Sequence, residues 1–145
     1  MDRAEALATA LAAIKAAPVS ILITNGLDGY PAARPMGTLA VEEDFTVYYA
    51  TGASMDKCAQ IEANRQSAVY WPNLGEGGFG WVMLKGDAEL TKDPQVLNRF
   101  WQDEFTRYFP GGREDPEYVI IRIAPKTLTV LVGEMDSRPA TVSLE

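Results

Sequence analysis

No histidine occurs anywhere in this chain of 145 residues. That absence removes a Ser-His-Asp or Cys-His relay, a histidine-ligated haem and any metal site built on imidazole, and it leaves a cofactor, a carboxylate or a lysine to carry whatever chemistry there is. Cysteine is almost as scarce. Cys58 stands alone, so the chain forms no internal disulfide, no cysteine spacing marks a metal site, and a reducing, cytoplasmic setting is the natural expectation. Positive charge is short as well: 13 Lys and Arg against 20 Asp and Glu give a formal net charge of −7, the wrong balance for a protein that grips nucleic acid by its phosphates. No stretch approaches the roughly 18 apolar residues of a membrane span, so no membrane partner is expected. The opening MDRAEALATALAAIKAAP is interrupted by Asp2, Glu5 and Lys15. It therefore reads as a helix over about residues 3–17, not as a secretory leader, with Leu7, Leu11 and Ile14 on one face and Pro18 at its end.

What is present fits one compact domain over residues 1–145, with a C-terminal tail from about residue 134. Hydrophobic residues make up 47 % of the chain, enough at this length to bury about 70 % of the surface the unfolded chain exposes. VSILIT (19–24), bounded by Asn25-Gly26 and Asp28-Gly29, predicts a hairpin whose return strand spans 30–41. Pro31 and Pro35 place that return strand at an edge or a bulge, because proline donates no ladder hydrogen bond. FTVYYAT (45–51), SAVYW (67–71), FGWVMLKGDAEL (79–90), EYVIIRIAP (117–125) and TLTVLVGEM (127–135) read as further strands, and EYVIIRIAP is too apolar to have more than one solvated face. SMDKCAQIEANR (54–65) predicts a helix capped by Ser54, with Cys58, Ile61 and a candidate Met55 inward and Asn64 near its end. A third helix starts at Asp93-Pro94 and carries Val96, Leu97, Phe100, Trp101 and Phe105 on its apolar face. The architecture these elements favour is an antiparallel barrel of about six strands with three helices across its openings.

GEGGFG (75–80) has the G-x-G-x-x-G spacing of a dinucleotide-binding turn. Such a turn needs a strand before it and a helix after it, and the residues that follow alternate with the period of a strand. The segment reads as a hairpin loop.

A phosphate grip is readable elsewhere. ARPMGTL (33–39) carries an arginine inside a strand, and YYATGASMDK (48–57) runs a strand through Thr51 into a helix start at Ser54 with Lys57 one turn in. Arg34, Thr51, Ser54 and Lys57 together would make an anion site at a helix N-terminus. Each also has an ordinary reading: Ser54 as a plain cap, Lys57 as a solvated helix residue, Arg34 as half of a surface ion pair.

In order along the chain, the strand with Arg34-Pro35-Met36, the strand ending in Thr51 and the Ser54-x-x-Lys57 helix start resemble the pyridoxamine 5′-phosphate oxidase-like family of FMN-binding split barrels. YFPGGREDPEYVIIRIAPKTLTV (108–130) resembles the tail of its short general-stress-protein branch, and the likeness covers roughly residues 5 to 132. The resemblance implies a mainly β fold, a six-stranded antiparallel split barrel with about three helices. It implies a homodimer with FMN in the clefts between subunits. Arg34 and Lys57 would hold the FMN phosphate, assisted by Thr51 and Ser54, and the backbone of Pro35, Met36, Gly37 and Thr38 would run along the isoalloxazine edge. Trp71, Trp101 and Phe109 are candidate cleft aromatics, each weighed against a place in the core. Three tryptophans, six tyrosines and five phenylalanines are more aromatic surface than a small barrel needs inside, which favours an interface.

The expected function is therefore flavin-mediated hydride transfer to or from an unidentified small molecule, with no protein acid or base nominated. The alternative from a different class is a non-catalytic FMN binder that carries or senses flavin during stress. A deazaflavin ranks lower, because no additional basic patch is evident for its long anionic tail. True pyridoxamine-phosphate oxidase activity also ranks lower, because the arginine and histidine of that enzyme's C-terminus have no counterpart here beyond Arg138.

Overall fold

The computed structural model describes residues 1–73, 79–133 and 137–145. In chain order it has α1 (Arg3–Ala16), β1 (Val19–Asn25), β2 (Pro31–Gly37), β3 (Ala40–Val41), β4 (Val47–Gly52), α2 (Asp56–Ala63), β5 (Gln66–Asn73), β6 (Phe79–Thr91), α3 (Pro94–Phe100), β7 (Tyr118–Gly133) and β8 (Ala140–Ser143). Short 3-10 helices at Asp103–Arg107 and Gly112–Glu114 fill the span between α3 and β7. All strand pairs are antiparallel, in the order β2-β1-β5-β6-β7-β4-β3, with β8 added beside β7. The protein is mainly β, an antiparallel sheet curled into a split barrel with three helices. The curl shows in one contact: the Tyr49 hydroxyl of β4 meets Ser20 Oγ of β1 at 2.5 Å, although three strands, β5, β6 and β7, lie between them along the sheet.

Several sequence expectations meet their physical reason here. β2, with its two prolines, is an edge strand. Asp93 caps α3 by accepting from the Gln95 amide, with Pro94 at the first helical position. α1 begins with a capping box in which Asp2 accepts from the Glu5 amide and Glu5 reaches back to Asp2. Its deepest residues are Ala6, Ala10, Ala13 and Ile14, with Leu7 and Leu11 packed at the margin of the core. Small side chains let the helix lie close on the barrel opening.

The sequence suggests two late strands, and the structure has one. β7 continues through Pro125, because a bulge absorbs the break: Lys85 pairs with Thr127 and Gly86 with Pro125, so Lys126 is the extra residue. Gly86 permits the crossing, since a Cβ there would lie 2.2 Å from the Ala124 carbonyl oxygen. Residues 140–143, expected within a tail, pair with Thr127–Val130 as β8. With the two-residue β3, this brings the strands among the described residues to eight rather than six. Residues 74–78, which include the first four residues of GEGGFG, lie outside the described residues, and its last two begin β6. β5 and β6 on either side of it are antiparallel neighbours, with Asn73 opposite Gly80, so no helix follows the motif.

Two cores result. The larger fills the barrel with Leu22, Val47, Tyr49, Val69, Trp71, Leu84, Ile121 and Ile123 under α1. The smaller lies on the outer face of β4 and β7, where Tyr48, Tyr118 and Ile120 meet Phe100 and Phe109. Both faces of β7 are therefore covered near its start, which accounts for the apolar run in EYVIIRIAP. Among the described residues, no helix is long and apolar enough to cross a membrane.

Gly86→Ala should cost about 1–3 kcal/mol through overpacking at the bulge, read as a fall in Tm of several degrees. Burial raises the Tyr49 hydroxyl from its usual 10.0 to about 12. The folded state thus holds that proton more tightly than the unfolded chain does. The contribution is complete below pH 10 and is lost as pH rises through about 12, a decline of roughly 2–3 kcal/mol. Tyr49→Phe leaves Ser20 and Thr38 bonded to each other at 2.6 Å. Urea denaturation across that alkaline range should show a shallower decline in the variant.

Candidate functional site

Arg34 projects from β2, where it pairs with Leu22 of β1. Its guanidinium donates to the Leu22 carbonyl (3.2 Å), to Thr24 Oγ1 (2.8 Å) and to Gln60 Oε1 of α2 (3.0 Å). All three acceptors are neutral. Lys57, in the first turn of α2, is only 8 % exposed and donates to Thr51 Oγ1 at 3.1 Å. Neither cation has a carboxylate within 4.0 Å among the described residues. Burial lowers both pKa values; for Lys57 the Arg34 charge adds to this, while Cys58 and Asp56 oppose it, and for Arg34 Asp56 opposes it. A buried ammonium and a half-buried guanidinium with no carboxylate in ion-pair contact are costly, and an incoming anion relieves that cost.

The two cations share a cavity of about 490 Å³ with Ala32, Ser54, Met55, Asp56 and Gln60. Thr51 stands behind Lys57 and also lines a second cavity, of about 610 Å³, whose other walls include Gly37, Ala50, Met55, Phe105, Tyr108 and Phe109. Met55 borders both. A polar, cationic compartment thus adjoins an aromatic one.

The remaining predicted residues divide. Ser54 lines the cationic cavity but does not cap α2: the N-cap is Met55, which makes no side-chain cap bond and is exposed rather than inward. The Ser54 hydroxyl and amide instead both donate to Glu117 Oε2, at 2.7 and 3.1 Å, while the Glu117 carbonyl accepts from the Ala53 amide. Glu117 precedes β7 and reaches the turn because Gly52 leaves room; a Cβ at Gly52 would lie 3.2 Å from Glu117 Oε2. On β2, Pro35 and Gly37 are exposed and Met36 packs against the barrel core. Thr38 bonds Ser20. Of the aromatics, Phe109 lines the second cavity beside Tyr108, which is 69 % exposed. Trp101 packs edge-on against Phe105 and Tyr118, outside that wall. Trp71 is not a cleft residue in this chain: it is 0 % exposed, because alternation along β5 turns it into the barrel.

The family model described as pyridoxamine 5′-phosphate oxidase like matches residues 5–138. The chain belongs to the pyridoxamine 5′-phosphate oxidase-like family. This is a flavin-binding fold family. Its member here is similar in structure to a protein from Clostridium acetobutylicum related to general stress protein 26 of Bacillus subtilis, with a TM-score of 0.80 and 20 % identity over 99 % of this chain and 96 % of that one. General stress protein 26 from Bacillus anthracis matches with a TM-score of 0.73 and 24 % identity over 94 % and 98 %. A nimC/nimA family protein from Clostridium acetobutylicum matches at 0.67 and 18 % over 96 % and 92 %. No curated protein matches the chain. At these identities the shared property is the fold.

The donor set of this family member suits a phosphate ester attached to an apolar ring system, since cations and hydroxyls lie on one side of Met55 and aromatic rings on the other. Sequence reasoning missed Thr24, Gln60, Glu117, Phe105 and Tyr108 as parts of this arrangement. Gln60 had a signal, lying three residues after Lys57 on α2. Thr24 becomes visible only once Leu22 is placed opposite Arg34, and Glu117 is 63 residues from Ser54.

Lys57→Met should leave the ligand-free protein as stable as the parent or more so, because it removes a buried charge without a carboxylate partner. It should abolish the rise in Tm that inorganic phosphate gives the parent. Thermal denaturation with and without phosphate checks both.

Proposed function

We propose that this protein is an FMN-dependent oxidoreductase that works as a homodimer on a small molecule. The single observation that carries this reading is the pair Arg34 and Lys57, two cations that share one cavity, form no ion pair with a carboxylate among the described residues, and lie next to an aromatic cavity. Their charges match a phosphate monoester, which carries close to two negative charges at neutral pH. Thr51 orients the Lys57 ammonium, and Ser54 adds a hydroxyl to the same cavity. The backbone from Pro35 to Thr38 would border the ring, with Phe105, Tyr108 and Phe109 excluding water on the apolar side. When bound, FMN supplies the two-electron chemistry, taking or giving a hydride at N5.

Homodimerisation is supported by where the exposed apolar side chains lie. Tyr108 and Met55 stand at the rim of the aromatic cavity, and Tyr30 and Leu27 cap the neighbouring hairpin. A second copy of the chain would bury these side chains and finish an open wall.

A second reading, a flavin carrier or sensor, is favoured by one feature. Glu117 is the one carboxylate lining the aromatic cavity among the described residues, and it is already bonded to Ser54. Among the described residues, no second carboxylate and no lysine lines that cavity. Reduction of the bound flavin by NADH or NADPH, followed by turnover with an acceptor, separates the enzyme from the carrier.

The purified protein should bind FMN at about one per chain, read as flavin absorbance. Arg34→Ala combined with Lys57→Ala should weaken FMN on the order of a thousandfold by removing two charge-assisted contacts. Riboflavin, which lacks the phosphate, should be little affected. Equal FMN affinity in parent and double variant would refute the site.

A further inference from the structure

Three side chains from three elements form a closed hydrogen-bonded ring behind the cationic cavity. Thr24 of β1 accepts from the Arg34 guanidinium at 2.8 Å and donates to Gln60 Oε1 at 2.6 Å; the same oxygen accepts from the other terminal nitrogen of Arg34 at 3.0 Å. Two donors converging on Oε1 settle which end of the Gln60 amide faces Arg34. The guanidinium is thereby aimed, and with the Leu22 carbonyl as a further acceptor, it is aimed entirely by neutral groups.

A carboxylate is the usual partner of a half-buried arginine, and glutamate at position 60 would have the shape to reach the same donors. It would also cancel the charge. We infer that Gln60 is the positioning residue of the anion site, an amide that fixes Arg34 in place while leaving its positive charge uncompensated for a phosphate monoester. The inference rests on the phosphate site proposed above and adds to it the group that sets the site's charge. The charged groups around Gln60 are Arg34 from β2, Lys57 and Asp56 from α2, and Asp28 from the β1–β2 turn. Asp56 and Asp28 are outside ion-pair distance of Arg34. One more carboxylate, bonded directly to the guanidinium, would shift this balance against an anion.

A purely structural role and a charge-setting role predict opposite orders for two variants. Gln60→Glu keeps both acceptor contacts and strengthens them, whereas Gln60→Ala removes them. The test measures Tm of the ligand-free protein, and the affinities for FMN and riboflavin, in the parent and in both variants. The expected stability order is Gln60→Glu at or above the parent, and Gln60→Ala below it. The expected FMN order differs, with Gln60→Ala about tenfold weaker through a loosened Arg34 and Gln60→Glu about a hundredfold weaker through lost charge. Riboflavin affinity should stay alike in all three. If Gln60→Glu binds FMN as tightly as the parent while the parent prefers FMN over riboflavin, the phosphate site stands and the role given to Gln60 is wrong. A parent that binds FMN no better than riboflavin, or binds neither, overturns the phosphate site and this inference with it.

Discussion

The arrangement depends on β7. This strand pairs with β6 along one side for most of its sixteen residues; along the other side its first half pairs with β4 and its second half with β8. A strand can change partners in this way only if it bends, and the bulge at Lys126 opposite Gly86 supplies the bend. Pro125, which donates no backbone hydrogen bond, lies where the ladder is already interrupted. The geometry of β7 then reaches the site. Its first residues carry β4, hence Thr51, and just before them Glu117 holds the turn leading into α2, hence Lys57. Tyr118 anchors the aromatic cluster by donating to the Leu97 carbonyl.

Stability and binding are built from different materials in this protein. Apolar side chains inside the barrel and a second aromatic cluster outside it hold the fold, and the surface ion pairs are exposed ones such as Arg99 with Glu42 and Lys126 with Asp87. Exposed pairs of that kind contribute about 0–1 kcal/mol each. Among the described residues, the two cations that are shielded from solvent and have no such partner are the two at the cavity. A chain with seven more acids than bases in which a buried Lys and a half-buried Arg both lack a carboxylate has left them uncompensated against the prevailing charge. That local imbalance distinguishes the site from the rest of the surface. It also agrees with a family whose fold binds flavin, without naming the reaction.

Local chemistry made much of this readable beforehand. Asn25-Gly26 and Asp28-Gly29 marked a hairpin, two prolines marked an edge strand, and Asp93-Pro94 marked a helix start, because each acts through its own backbone within a few residues. Arg34, Thr51 and Lys57 were legible as a group because residue type and order suffice to suggest an anion site. Ser54 shows the limit. A serine before a helix is a good cap in isolation, but Glu117, distant in sequence, offers a charged acceptor for both its hydroxyl and its amide, and that contact wins.

Sequence alone thus determined most of the elements, the mainly β class and the presence of two cations suited to an anion, since these follow from periodicity, turn residues and charge. Only the tertiary structure decided that β7 is one strand, that β8 exists, that Trp71 is core, and that Thr24 and Gln60 hold Arg34 without neutralising it. Each of those depends on register, and register sets which distant side chains share a face. A shift of one residue in the pairing of β1 with β2 would turn Arg34 to the opposite face and leave the site without its cation.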